Sequence, residues 1–314
     1  MRTNAAVSDS NIIAWESEPK MKGHPSNSES IRGRNVLVVG KNSYVGDFLC
    51  RHFSAQGASV SAVGSADCNF LDAAQVHDFF KSLGEKPVTI LFLAVVNKTV
   101  RNSYSAFLDN IQMAWNLVSS ARDANLESLI YFSSVDVYGR SPTLPMNEAT
   151  PLDPDTWYGL AKSTSEWIVR QELGSRFSTC ILRIPGIFGP SRNDRSVIGQ
   201  FVASIRHDGK VRIHGDGQTL RDYVFAPDLC RVVERLVTGK VTGTFNLATG
   251  KSVSLLQILE TIGEVLGVDF EVVRLPANVD RNFDMCYDTA RLSAALGQFE
   301  FTPLSAGIRD YLDL

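Results

Sequence analysis

The run Asn35-Val-Leu-Val-Val39 passes directly into Gly40-Lys-Asn-Ser-Tyr-Val-Gly46 and then into a segment with Val45, Phe48, Leu49 and Phe53 on one helical face. A β-branched strand, a glycine turn and an amphipathic helix in that order open a parallel α/β sheet. The turn lets backbone N–H groups meet a pyrophosphate at a helix N-terminus, as in dinucleotide-binding units. Gly40, Ser43, Tyr44, Val45 and Gly46 are therefore read as cofactor-binding. The spacing Gly-x-x-Ser-x-x-Gly puts Ser43 where the middle glycine commonly stands, and its hydroxyl can itself donate to phosphate. After the next strand, Ser59 to Val63, an acid for the ribose 2′-hydroxyl of NAD is expected roughly 20 residues beyond the glycines. The chain has Gly64-Ser65 there, with Asp67 two positions late. Lack of that acid removes a repulsion against a 2′-phosphate, and Lys41, Ser65 and Arg51 are placed to approach one. NADP is thus slightly favoured over NAD.

The alternation continues through a helix carrying Val76, Phe79, Phe80 and Leu83, a strand Thr89 to Ala94, a long helix from about Ser103 to Ala124, and a strand Leu129 to Ser133. The Tyr158 helix and a strand Ser178 to Arg183 follow. Such a series predicts right-handed crossovers and an α/β, Rossmann-type doubly wound parallel sheet. Beyond Phe188-Gly-Pro190 the pattern turns mixed, with helices near 197–207, 227–237, 254–266 and 304–311. The expected division is a polar, flexible extension over 1–32, a nucleotide-binding domain over 33–187 to which segments near 222–250 return, and a smaller mixed α/β C-terminal substrate lobe over 188–314. Ile12, Ile13 and Trp15 form a small apolar cluster in the extension, which lacks the apolar core of a signal peptide.

With 44% hydrophobic and 21% charged residues among 314, the chain can bury a full core, and a net charge of −3 argues against nucleic acid. No apolar run approaches bilayer length, so no membrane is expected. The five cysteines are scattered and never spaced as Cys-x-x-Cys. They read as reduced thiols of a cytoplasmic protein. The five histidines show no ligand spacing, and no metal is assigned.

The chemistry-bearing stretch is Tyr158-Gly-Leu-Ala-Lys162, taken with Ser133-Ser134 upstream. Tyrosine and lysine four apart share a helix face, so an ammonium beside the phenol would favour the phenolate and suit a proton shuttle for an alcohol or carbonyl. The Ser134 hydroxyl would bond the reacting oxygen. Side chains do not move hydrides, which implies a nicotinamide.

Taken in order, the motifs Val39-Gly40 through Gly46, Phe92-Leu-Ala94, Ser133-Ser-Val-Asp-Val-Tyr-Gly139, Tyr158 to Lys162, Arg183 through Phe188-Gly-Pro190, Gly215-Asp-Gly-Gln-Thr-Leu-Arg221-Asp-Tyr223, Phe245-Asn-Leu-Ala-Thr-Gly250 and Leu296-Gly297 resemble the extended short-chain dehydrogenase/reductases, specifically the NAD(P)-dependent epimerase/dehydratase group acting on nucleotide sugars. The resemblance spans nearly all of residues 35–313. It implies Tyr158 as acid/base, Lys162 as the residue that orients the cofactor ribose and lowers the tyrosine pKa, and Ser134 as the group polarising the sugar oxygen. Asn69-Phe70 would lie beside adenine; Leu93, Ala94, Val95 and Pro185 would pass the cofactor, with Asn110 near it. Arg221 would clamp the substrate diphosphate. The resemblance also implies a homodimer built from helices 103–124 and 158–173 as a four-helix bundle, with Trp115, Leu108 and Ile111 as candidates for its face.

Departures from the family pattern select among reactions. Dehydratases carry an acid pair after the catalytic hydroxyl; here the positions hold Val135 and Asp136, so only Asp136 remains as a possible base. Gly186 replaces a frequent asparagine at the sugar phosphate. Leu275 replaces a frequent arginine, with Arg281 as its expected substitute. The body after residue 33 is shorter than typical 4-epimerases and closer to 4-keto-sugar reductases. The expectation is reduction of a nucleotide-activated 4-keto sugar, with 4-epimerisation on tightly bound NAD as the alternative. A 4,6-dehydratase, a non-sugar dehydrogenase and a non-catalytic dinucleotide-binding protein rank below both.

Overall fold

The computed structural model describes residues 30–311 apart from 142, 192–193 and 277–282. The apolar cluster at Ile12, Ile13 and Trp15, nearly all of the polar extension, and Arg281 lie outside the described residues.

Six parallel strands form the central sheet: β1 (Asn35–Val39), β2 (Ser59–Val63), β3 (Val88–Phe92), β4 (Leu126–Ser134), β5 (Ser178–Ile184) and β10 (Gly243–Asn246). Their order is β10-β5-β4-β3-β1-β2. The inner strands β1, β3, β4 and β5 are buried nearly throughout because both faces are covered, whereas the edge strand β2 alternates with exposed positions. Val36 and Val38 point into a core with α1 (Tyr44–Ala55) and α6 (Ala226–Thr238). Leu37 and Val39 point into the opposite core with α2 (Ala73–Ser82), α3 (Tyr104–Ala121) and α4 (Trp157–Leu173). The strand order reverses direction between β1 and β3, and a crevice at their carboxyl ends is where such sheets take ligands. Gly40 sits there with φ 105°, and a Cβ on it would lie 3.1 Å from the Ala94 backbone nitrogen. Only a glycine permits that approach.

The remaining elements surround a third core. The α5 (Val197–Asp208), α7 (Leu255–Leu266) and α9 (Leu304–Arg309) helices pack with the parallel pair β7 (Lys210–His214) and β12 (Glu271–Leu275). Two short pairs, β6 (Gly186–Phe188) with β9 (Tyr223–Phe225) and β8 (Leu220–Arg221) with β11 (Val253–Ser254), lie between this core and the sheet in sequence. The helix α8 (Ala290–Leu296) escapes the sequence pattern, since only Leu292 and Leu296 are buried and no side chain caps it.

One buried network joins β4, β5, β10 and α4. Arg183 of β5 grips Glu166 of α4 bidentately, Nε to Oε1 at 3.0 Å and Nη2 to Oε2 at 2.8 Å. Ser133 of β4 donates to the same carboxylate at 2.6 Å. Arg183 also donates to the Tyr138 hydroxyl, which donates to Asn246 of β10 at 2.6 Å. Removing one member leaves a charge stranded in an apolar interior. Glu166→Ala is therefore expected to lower unfolding stability by about 3–5 kcal/mol in urea titrations. A loss below about 1 kcal/mol, the range of exposed pairs, would contradict this assignment.

Candidate active site

Thr156 caps α4 by accepting the Gly159 N–H at 3.0 Å, and Asn102 accepts the Tyr158 N–H at 3.2 Å. These contacts fix the first helical turn, where Tyr158 stands. A Cβ on Gly159 would meet the Asp136 carbonyl oxygen at 2.5 Å, so glycine lets α4 lie against the 3-10 turn Val135–Tyr138 that follows β4. That close approach brings Tyr158, Ser134 and Asp136 together.

Ser134 Oγ accepts the Asp136 N–H at 3.2 Å and lies beside the Tyr158 phenol. The residue Tyr158 is half-buried, with its phenol end enclosed. Burial pushes the phenol up from its ordinary value, the nearby Asp136 charge adds to this, and Ser134 opposes it. Lys162 is 4% exposed, and its Nζ donates inward to the Phe132 carbonyl at 2.6 Å. It lies 5.9 Å from the Tyr158 ring centroid. Burial lowers its pKa to about 7, with Glu166 opposing. The expectation that Lys162 draws the phenol down is thus corrected. In this arrangement the lysine is turned to a carbonyl, and burial and the Asp136 charge both raise the phenol.

A residue missed in the sequence completes the cluster. Lys98, in the loop after β3, forms an ion pair with Asp136 and places its Nζ 5.7 Å from the Tyr158 ring centroid. A lone lysine carries no motif; its position just past the carboxyl end of a sheet strand was the available signal.

The glycine turn suits a dinucleotide. Ser43, however, is the N-cap of α1: its Oγ donates to Gly40 O at 2.7 Å and accepts Gly46 N–H at 3.0 Å. This corrects its reading as a phosphate donor and leaves the role to backbone N–H groups at the helix start. A Cβ on Gly46 would collide with Gly40 O at 2.3 Å. Tyr44 reaches away, donating to Gly189 O at 2.7 Å, while Val45 packs on the core beneath.

At the end of β2 an acid folds back towards the strand end. Asp67 folds back to accept the Gly64 N–H at 2.8 Å and pairs with Lys41 at 2.7 Å; the lysine first, then Gly64, holds its carboxyl below the usual value. Arg51 is engaged on its own helix by Asp47 at 2.8 Å. Ser65 and Asn69 are exposed beyond β2, and Phe70 is buried against Phe92. Leu93, Ala94 and Val95 follow β3 beside the turn, with Leu93 N–H on Val39 O at 2.8 Å. Asn110 uses both ends of its amide on the Val96 backbone, at 2.7 and 3.1 Å. It thereby shapes the loop after β3, beside the glycine turn. Pro185 is half-buried between β5 and β6.

On the substrate side, Gly186 is exposed, and a Cβ there would strike the Tyr223 ring at 2.7 Å. The aromatic ring occupies the space a side chain at 186 would need, which accounts for the glycine. Arg221 is half-buried, donating to Leu220 O at 2.7 Å and to Phe283 O, with its guanidinium 5.4 Å over the Phe283 ring. Among the described residues no cluster of His, Cys, Asp and Glu is arranged to hold a metal, and no helix is long and apolar enough to cross a membrane.

A strand-switch crevice, a glycine turn and a Tyr-Lys-Ser cluster at the strand ends define an NAD(P)-dependent enzyme of the extended short-chain dehydrogenase/reductase class. The chain belongs to the NAD dependent epimerase/dehydratase family, whose profile matches residues 36–248. It is 31% identical over 155 residues to the dTDP-D-glucose 4,6-dehydratase of Bos taurus, covering 48% of this chain and 43% of that enzyme; the chain thus spans under half the length of that relative. With the dTDP-4-dehydro-6-deoxy-D-allose reductase of a Streptomyces species it shares 26% identity, over 88% of this chain and 95% of that one. Among solved structures, the UDP-N-acetylglucosamine 4-epimerase of Methanobrevibacter ruminantium superposes with TM-score 0.80 at 21% identity, covering 90% and 98% of the two chains. RMD from Pseudomonas aeruginosa, complexed with NADPH, gives 0.77 at 20% identity, covering 89% and 98%.

Lys162 has a folded pKa near 7 against an ordinary 10.5, so between those values the unfolded chain binds the extra proton and stability rises with pH. The wild type is expected to gain stability relative to Lys162→Met as the pH is raised from about 7 to 10, read from unfolding midpoints at each pH. A pH-independent difference would contradict the depressed value.

Proposed function

We propose that the protein reduces the 4-keto group of a nucleotide-activated sugar, using NADPH. The observation that carries this reading is the cluster at the β4 end, where one enclosed phenol, one serine hydroxyl and one buried lysine meet a single acid. Val135, buried and apolar, stands where a dehydratase has its first acid, so elimination of water lacks a proton carrier. Alignment with a 4-keto-sugar reductase along 95% of that relative supports the same choice.

The nicotinamide supplies hydride when bound. Ser134 donates to the sugar carbonyl oxygen and Tyr158 delivers the proton to it. Arg221 faces the substrate diphosphate as a planar donor, and Tyr223 closes the floor at Gly186. Lys41 would hold the 2′-phosphate of NADPH once released from Asp67. Asp67 favours the second reading, a 4-epimerase that retains NAD, because a carboxylate there accepts from a ribose 2′-hydroxyl.

Protein purified without added cofactor should release no stoichiometric NAD on denaturation. It should oxidise NADPH with a nucleoside-diphosphate 4-keto-6-deoxyhexose, and Asp67→Asn should widen the preference for NADPH over NADH. Tyr158→Phe should bind NADPH yet fall at least about a hundredfold in turnover. Stoichiometric NAD, with interconversion of 4-epimers, would establish the epimerase reading instead.

We also infer a homodimer. The α3 and α4 helices pack on one another and expose Tyr104, Leu108 and Trp115 on one, and Trp157, Leu160 and Trp167, the last 59% exposed, on the other. Apolar exposure of this extent marks an interaction surface. The unpaired thiols fit a reducing, cytoplasmic setting. Trp167→Glu should halve the mass seen by light scattering; an unchanged mass, or a monomeric wild type, would remove this interface.

A further inference from the structure

The glycine turn is tied to the third core through one hydroxyl. Tyr44 is the first residue of α1, beside the backbone N–H groups that the helix start offers to a pyrophosphate. Its ring meets Phe48 edge-on with centroids 5.3 Å apart. Its hydroxyl donates to Gly189 O at 2.7 Å, across 145 residues of sequence. Gly189 is buried directly after β6, the short strand that begins at Gly186 against the Tyr223 ring. The Gly189 N–H is taken as well, by the Tyr311 hydroxyl at 2.8 Å. Tyr311 donates onward to the Asp194 carboxylate, which accepts the Ser196 N–H at 2.7 Å and the Ser196 hydroxyl at 2.8 Å. Ser196 caps α5 by accepting the Gly199 N–H at 3.0 Å. An unbroken hydrogen-bonded chain therefore runs from the first turn of α1 to the first turn of α5. The midpoint has no slack: a Cβ on Gly189 would lie 3.1 Å from Ala226 Cβ, 3.3 Å from Phe48 Cζ and 3.4 Å from the Tyr44 hydroxyl oxygen. Groups packed this closely pass a displacement on to their neighbours. A phenylalanine at 44 would keep the ring contact, so what the hydroxyl adds is the bond to Gly189.

We propose that Tyr44 is a positioning residue that couples the two ligand sites: its hydroxyl ties the glycine turn to the end of β6, so that cofactor and nucleotide sugar bind with positive cooperativity. This coupling rests on the reductase reading, in which the cofactor exchanges at every turnover. A dinucleotide that fixes the glycine turn fixes Gly189 and the end of β6 with it, and the second ligand then finds less disorder left to remove. The effect is reciprocal, because a coupling free energy belongs to both sites at once. The Tyr44 hydroxyl itself is committed to Gly189 and acts on either ligand only through the backbone.

The test is calorimetric titration of NADP+ into the wild type and Tyr44→Phe, each alone and with a saturating nucleoside diphosphate, taking dTDP, UDP and GDP in turn as the activated end of the substrate. In the wild type the diphosphate that binds is expected to tighten NADP+ at least about fivefold, and NADP+ to tighten that diphosphate by the same factor. In Tyr44→Phe the factor should fall to within about twofold of unity in both directions. Tyr311→Phe breaks the same chain from the other side of Gly189 and should lose the factor too, while the double variant should lose no more than either single one. Amide exchange gives a second readout: NADP+ alone should slow exchange across residues 186–189 in the wild type and leave it unchanged in Tyr44→Phe. Affinities that weaken together in Tyr44→Phe with their mutual factor intact are what lost packing produces, and would overturn the coupling. Ligands that bind independently in the wild type would overturn it too, and would leave the reductase reading standing. A wild type that keeps stoichiometric NAD through purification, or that binds none of the three diphosphates, would remove the reductase reading and the coupling with it.

Discussion

The bidentate ion pair between Arg183 and Glu166 is the interaction on which the active-site end of the sheet depends. Glu166 lies one helical turn beyond Lys162, and Ser133, which donates to it, precedes Ser134. The network continues through Tyr138 to Asn246, so it sets the relation of α4 to β4, β5 and β10 at once. A paired, hydrogen-bonded ion pair of this kind does little for net stability relative to an apolar core, and its worth is geometric. It holds a phenol, a serine hydroxyl and a lysine in one arrangement before any ligand arrives.

The second constraint is steric. Gly159 carries no side chain because the Asp136 carbonyl occupies the place of its Cβ, and Gly40 and Gly46 do the same work in the nucleotide turn. Both sites thus rest on backbones brought closer than any other residue permits. Electrostatics then differentiates the cluster. Burial raises the phenol and lowers the lysine, and Lys98 pairs with Asp136 beside them.

Most of the sheet was legible because periodicity and β-branched runs report burial directly: β1, β3 and β5 are apolar on both faces, and the glycine turn after β1 announced the crevice. Tyr158, Lys162 and Ser134 were legible as a motif, and the fold brings them together. What escaped depends on tertiary geometry. Asp67 stands two positions late in sequence but folds back on Gly64 at the end of β2. Ser43 resembles a phosphate donor until its hydroxyl is seen capping α1. Asn110 faces the loop backbone, and Lys98 reaches Asp136 from another strand end with no local signature. The direction of the Tyr158 shift also ran opposite to expectation, since spacing on a helix says which groups are near and not which are desolvated.

The central claim is that Tyr158 and its neighbours serve hydride transfer to a sugar carbonyl carbon. It is tested most directly by following deuterium from NADPH dideuterated at nicotinamide C4 into product by NMR. A reductase of the kind inferred places the label stereospecifically on C4 of the sugar, one deuterium per NADPH oxidised. A product without deuterium at C4, or sugar conversion that leaves the added NADPH intact, would contradict it.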